Sequence, residues 1–357
     1  MSNTNSPQTP YQTSSRKKDH VDLCVGDRVT FREKTSGLER IEFVHNALPE
    51  LDFASLSTET TFLGKTISFP LQISSMTGGY AEAERINREL AEVCETMRLP
   101  MGVGSQRQAL ERTEFHETFR AARKYAPSIV LTANIGGAEV AKAHVREDLC
   151  RIVDMIEANA LTIHLNPLQE LMQPEGTTDF RGVLAGIEQL CGAVGINVPV
   201  IVKEVGAGLS AHVAKRLLDV GVAAIDVAGA GGTSWAGVEL LRENEAENPN
   251  HRFKEIFWDW GLPTSECLRR ITPLKAEYSF TLVASGGITN GLDIAKSLAL
   301  GADIAASARI LLQILMEQGQ TAFHDTLRGW QYQVQSVMFL TGSASIHALS
   351  EAEYRVV

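Results

Sequence analysis

The sequence predicts an α/β fold: a single (β/α)8 TIM barrel with an N-terminal extension and a C-terminal helix. Three observations predict it. Eight short apolar runs are spread along the 357 residues, and stretches of helical period lie between them. None of the runs is followed by the G-x-G-x-x-G turn of an open dinucleotide-binding sheet. The runs are apolar throughout, as parallel strands covered on both faces are.

In order, the candidate strands lie near Leu71–Ser74, Met101–Val103, Ile129–Ala133, Ala160–His164, Val200–Lys203, Ala223–Val227, Thr281–Ala284 and Ile304–Ala306. Leu149, Ile152, Val153 and Ile156 fall on one helical face, and Asn159 is placed to end that helix. Ser210 is a candidate N-cap, Val213 and Leu217 share a face, and Gly221 closes the segment. Ile294 and Leu298 repeat the pattern before Gly301, and Phe323–Leu340 reads as a further helix. About fifty residues separate the sixth and seventh runs, including the polar stretch Arg242–Arg252. Such a connection is either a lid at the barrel mouth or a solvated insertion. Residues 1–15 hold little to bury and read as a disordered tail, leaving 16–357 as one barrel domain.

The formal net charge of −10 disfavours DNA, RNA and anionic membranes as partners, though a few local cations can still serve a small anion. Five cysteines, none in a C-x-x-C pair, argue against a disulfide framework or a zinc cluster and suit a reducing cytoplasm. No secretory signal and no bilayer-spanning run is read.

Barrel chemistry gathers just after the strands. The seventh run leads into Ser285-Gly286-Gly287 and the eighth into Ser307-Ala308-Arg309, a recurrent place for a phosphate cup; a plain tight turn is the alternative. The sixth leads into Gly229-Ala230-Gly231-Gly232-Thr233-Ser234, which is either an amide-rich binding loop or a hinge. Lys203 ends the fifth run. It either stabilises a developing anion or pairs with Glu204 or another carboxylate. The first three runs end in hydroxyls, an amide and open backbone, groups that suit the edge of a flat heteroaromatic ring or ordinary turns. The fourth ends in the densest polar cluster, His164-Leu165-Asn166-Pro167-Leu168-Gln169-Glu170, where one carboxylate can help hold a hard cation on a phosphorylated ligand. Arg16-Lys17-Lys18-Asp19-His20 is either a solvated basic face or the positive charge that a diphosphate needs.

Together these segments resemble the type 2, FMN-dependent isopentenyl diphosphate isomerases. The matching stretches are RKKDH at 16–20, FVHNALPELDF at 43–53, SSMTGG at 74–79, GVGSQR at 102–107, TANIGG at 132–137, HLNPLQE at 164–170, VPVIVKEVGAGLS at 198–210, AGAGGTSW at 228–235 and SGGI at 285–288. They keep the family's order.

The resemblance implies interconversion of isopentenyl and dimethylallyl diphosphate by an allylic proton shift. Reduced FMN would act as the acid/base group, Mg2+ would sit on the diphosphate, and NADPH would reduce the flavin. FMN would contact Ser75, Met76, Thr77, Ser105, Asn134, Lys203, Thr233, Gly286, Gly287, Ala308 and Arg309. Arg309 departs from relatives that carry a small residue there. Arg16, Lys17, His20, Arg107, Asn166 and Gln169 would bind substrate, and Glu170 would hold Mg2+. Gln169, His164 and Lys203 would be the catalytic side chains, and the chain would be a cytoplasmic homo-oligomer. The nearest rival is an FMN-dependent 2-hydroxy acid oxidase or dehydrogenase. That chemistry wants a histidine base near the sixth or seventh strand, and His251 in the long connection keeps it open.

Overall fold

A computed structural model describes residues 10–142, 145–192, 195–243 and 250–357. Eight parallel strands close into a barrel: β1 (Leu71–Ile73), β2 (Met101–Gly102), β3 (Leu131–Gly136), β4 (Ala160–Leu165), β5 (Val200–Glu204), β6 (Ala224–Asp226), β7 (Thr281–Ser285) and β8 (Ile304–Ser307). Each pairs with its neighbour in sequence, and β8 returns to β1. All eight predicted runs are present, with ends shifted by one to three residues.

Alternation along the strands sorts their side chains into two cores. Ala160, Ile201, Ala224, Val283 and Ile304 pack inside the barrel, whereas Leu161, Ile163, Val202, Ile225 and Leu282 pack beneath the outer helices. An antiparallel hairpin of Thr60–Phe62 and Lys65–Ile67 plugs the barrel floor with Phe62 and Ile67. Burying each such side chain contributes roughly 1.5–3 kcal/mol. The floor is therefore apolar and sealed, and polar groups can collect only at the opposite end.

Four helices shape that end: α1 (Pro10–Val25), α2 (Pro167–Met172), α3 (Trp235–Arg242) and α4 (Arg309–Thr341). α1 alters the expected tail. Residues 1–9 lie outside the described residues, but the helix already begins at Pro10. Val21 and Cys24 anchor it by burial, which extends order into the polar stretch before it. α4 contains the expected C-terminal helix and is broken at Gly319, where φ is 83°.

Ser210 caps its helix by accepting from Val213 N at 3.3 Å, and Gly221 follows with φ 93°. Asn159 does not end the preceding helix as expected. Glu157, at φ 47°, turns the chain there, while Asn159 Oδ1 accepts from Leu131 N. The long connection after β6 carries α3 and the helices His251–Lys254 and Thr264–Ile271. Part of its polar stretch, 244–249, lies outside the described residues. Among the described residues, no helix is long and apolar enough to cross a membrane.

Candidate active site

The strand tips open into two chambers of about 180 Å3 each, which share walls at His20, Ser75, Met76, Lys203, Val205 and Trp235. A larger groove, about 560 Å3, runs between the 33–40 segment and the helix Thr264–Ile271, but no strand tip reaches it. We therefore place the chemistry in the two chambers.

The first chamber lies over β6, β7 and β8. Gly232, Thr233, Gly286, Gly287, Ala308 and Arg309 line it. The loops after β6 and β7 press backbone against backbone here. A Cβ on Gly286 would stand 2.0 Å from the Gly229 carbonyl oxygen, and the φ of 100° is one that other residues rarely adopt. Among the described residues, the Gly286 and Gly287 N–H groups have no acceptor in the protein. α4 begins beside them, so its N-terminal dipole adds positive potential. Free amides, a helix N-terminus and Arg309 make a phosphate cup. Met76, Val205 and Trp235 give flat apolar walls toward the other chamber. This donor set fits FMN.

The second chamber holds Arg16, Lys17, Ser105, Arg107, Asn134, His164, Asn166, Gln169 and Glu170, and Thr77 lines it too. α1 lies across its top. Lys17 Nζ donates to the Gly78 and Ser105 carbonyl oxygens at 2.7 Å each, tying the helix to the loops after β1 and β2. Burial, then the nearby Arg16, pulls the Lys17 ammonium down to about 7. Arg107 pairs with Glu139 at 3.2 Å and Glu111 at 3.4 Å. Every residue the sequence nominated lines one chamber or both.

In the second chamber's wall, His164 Nδ1 meets Asn134 Oδ1 at 2.9 Å, and Asn134 Nδ2 donates to Ser75 Oγ, on the shared wall, at 3.0 Å. Burial, helped by Lys203 and Lys17, pushes His164 down to about 3, so the ring is neutral. The amide oxygen can only accept, so the proton sits on Nδ1 and Nε2 is left as an acceptor. Lys203 Nζ donates to the Glu204 main-chain oxygen at 2.6 Å. The Glu204 carboxylate is engaged elsewhere: its Oε2 accepts from the amides of residues 205–208. The ion pair considered for Lys203 and Glu204 is thus replaced by a backbone contact.

The sequence reading missed the group beneath Gln169. Glu239, on α3, is fully buried. Gln169 Nε2 donates to its Oε1 at 2.9 Å, His20 Nε2 lies 2.9 Å from the same oxygen, and Arg242 Nε meets Oε2 at 2.8 Å. Burial alone would raise this carboxyl; His20, then Arg242 and the Gln169 amide, outweigh it and bring it down to about 2. Gln169 Oε1 accepts from Asn166 Nδ2 at 3.1 Å, so both ends of the amide are held. The available signal was a lone acid in the otherwise apolar start of α3, WAGVELL.

Glu170 accepts from Asn166 Nδ2 at 3.0 Å and from Thr177 N at 2.6 Å. Among the described residues, no three His, Cys, Asp or Glu side chains cluster as a metal cage. His251, the base the rival chemistry would need, lines neither chamber; its Nε2 faces the Leu240 carbonyl at 3.2 Å.

The fold and the phosphate cup define an FMN-dependent barrel enzyme. The family model for FMN-dependent dehydrogenases matches residues 11–127 and 183–356. A mandelate oxidase mutant with an FMN adduct shares the fold at TM-score 0.66 and 17% identity, over 94% of this chain and 95% of that one. A flavocytochrome b2 mutant with pyruvate bound does so at 0.69 and 18%, over 97% and 84%. Much nearer in sequence are isopentenyl-diphosphate delta-isomerases. The one from Chlorobaculum parvum is 50% identical over 348 residues, covering 95% of this chain and 96% of the relative. The one from Nostoc sp. is 46% identical over 341 residues, covering 96% and 95%. The chain belongs to the isopentenyl-diphosphate delta-isomerase family.

Proposed function

We propose that the chain interconverts isopentenyl and dimethylallyl diphosphate by an allylic proton shift. The first chamber would hold reduced FMN, Glu170 would help hold Mg2+ on the substrate diphosphate, and NADPH would keep the flavin reduced. The observation that carries this reading is the junction. A phosphate cup and a cationic chamber meet at Lys203, with the doubly held Gln169 amide in the second chamber's wall. When bound, reduced FMN supplies an electron-rich ring able to hold a proton.

The chain's own residues do the rest. Arg16, Lys17, His20 and Arg107 attract the diphosphate, and Glu170 takes one position on Mg2+. Anchoring so far from the reacting carbons converts binding energy into orientation. Neutral His164 presents Nε2 to the substrate without adding charge. Gln169 holds the allylic end or passes a proton across its amide. Lys203 stabilises negative charge on the ring. α1 and Trp235 keep water from a carbon skeleton that acquires carbocation character on protonation. Ser75, Met76, Thr233, Gly286, Gly287, Ala308 and Arg309 would hold the flavin in the first chamber, and Thr77, Ser105 and Asn134, which line the second, would meet its ring where the chambers join.

The five cysteines are all free, which suits a cytoplasmic enzyme. Exposed Phe253, Ile256 and Trp260 suit contact between copies in a homo-oligomer. The test is an isomerase assay on purified protein with FMN, NADPH and Mg2+. Rearrangement of the five-carbon diphosphate without net NADPH consumption is expected. Peroxide release from a 2-hydroxy acid, with no rearrangement, would overturn the reading.

A further inference from the structure

Strand register sets His164, Lys203 and Asp226 side by side on β4, β5 and β6. Register partners on parallel strands project from the same face. Lys203 lines both chambers, so all three point into the barrel. Asp226 lines neither chamber and is 5% exposed. Its Oδ1 accepts from Ser285 Oγ and from Ala228 N. That N–H comes from a non-glycine residue held at φ 37°.

Lys203 therefore has two interior neighbours in its row. His164 is neutral. Glu204 uses its carboxylate oxygen on its own loop. Asp226 is the acid that shares the inward-facing row; Glu204, next along the strand, is also within electrostatic reach of the ammonium. On balance burial raises the Asp226 carboxyl; Lys203, then Ser285 and the Ala228 amide, oppose that push without cancelling it. Both hydrogen bonds arrive as donors to Oδ1, and an ionised carboxylate accepts such bonds.

We propose that Asp226 is a positioning residue for Lys203, a counter-charge that limits the positive potential Lys203 delivers to the flavin ring. The inference rests on the flavin ring lying over Lys203. Removing the counter-charge leaves the ammonium unbalanced in a low-dielectric site and favours the anionic reduced ring.

The test is the midpoint potential of bound FMN at pH 8, with sulfite affinity of the oxidised form as a second probe of local positive charge. Asp226→Asn should favour reduction about tenfold, a rise of about 30 mV for a two-electron couple. It should tighten sulfite binding by a similar factor. Asp226→Glu should restore the wild-type values. Ser285→Ala, a smaller change that tests the same carboxylate should Asp226→Asn fail to fold, should shift both in the same direction by less. Lys203→Met should lower the potential. If Lys203→Met lowers it and neither Asp226→Asn nor Ser285→Ala raises it, the counter-charge role is overturned while the flavin site stands. If Lys203→Met leaves the potential unchanged, the ring does not lie over Lys203, and both readings fall.

Discussion

Gln169 and Glu239 stand 70 positions apart in the chain and 2.9 Å apart in space. Gln169 opens from α2, just after β4, and Glu239 sits on α3, after β6. The contact crosses the barrel mouth and fixes which way the amide faces. A carboxylate can only accept, so Nε2 must point at Glu239 and Oε1 must turn toward Asn166.

Glu239→Gln replaces an obligate acceptor with a group that can also donate. The Gln169 amide loses its fixed orientation, and Arg242 loses its buried counter-charge. Turnover is expected to fall on the order of 10²-fold with FMN retained. Steady-state kinetics beside the flavin spectrum check this, and unchanged turnover removes the positioning role. Stability should change as well. A carboxyl held near 2 in the fold and near ~4.3 when unfolded contributes stability that is complete above the unfolded value and fades as pH falls toward 2. Acid unfolding of the Gln variant should lack that component.

Lys17 sets a pH dependence of opposite origin. Its ammonium is pulled down to about 7, against ~10.4 in an unfolded chain. Between those values the unfolded state binds the extra proton, so this group's contribution to stability rises with pH across that window. The ligand-free site loses the Lys17 charge over the same range. KM for the diphosphate should therefore climb above pH 7, by up to about tenfold per unit. Lys17→Arg, charged throughout, should flatten the rise. A KM profile identical in both proteins would show that Lys17 does not meet the diphosphate.

Glu170→Gln keeps the shape and removes the charge that would face Mg2+. The metal concentration for half-maximal rate should rise roughly 10- to 100-fold, with little change in bound FMN. A Mg2+ titration of the rate reads this directly, and superimposable curves count against Glu170 as ligand.

Gly286→Ala tests the phosphate cup. The added methyl meets the Gly229 carbonyl oxygen at 2.0 Å and must adopt φ 100°. The two loops must part, at a cost of order 1–3 kcal/mol. FMN affinity should drop at least roughly tenfold, since about 1.4 kcal/mol is a factor of ten in binding. Equilibrium dialysis of FMN against the apoprotein gives the ratio.

Much of this molecule could be read along the chain because its signals are local. Val200–Lys203 and Thr281–Ala284 are apolar runs with no break, and each becomes a strand buried on both faces. Ser210 announced its helix because a cap needs only the three residues that follow it. The strand tips were legible for a related reason: closing eight strands brings their ends together whatever the intervening helices do. The placement of His164 and Gln169 in one chamber, Gly286 in the other and Lys203 at their shared wall follows from that closure.

Other features had no local signal. The sequence by itself determined the repeating strand-helix order and which residues stand at the mouth. Tertiary structure alone decided that Lys203 bonds a main-chain oxygen rather than a carboxylate, that Glu239 anchors Gln169, that Asp226 lies beside Lys203, and that α1 covers the second chamber. The physical reason is range. Hydrophobic period and capping act over a few residues, whereas the environment of a buried charge is set by whichever distant groups the closed barrel brings within a few ångströms of it.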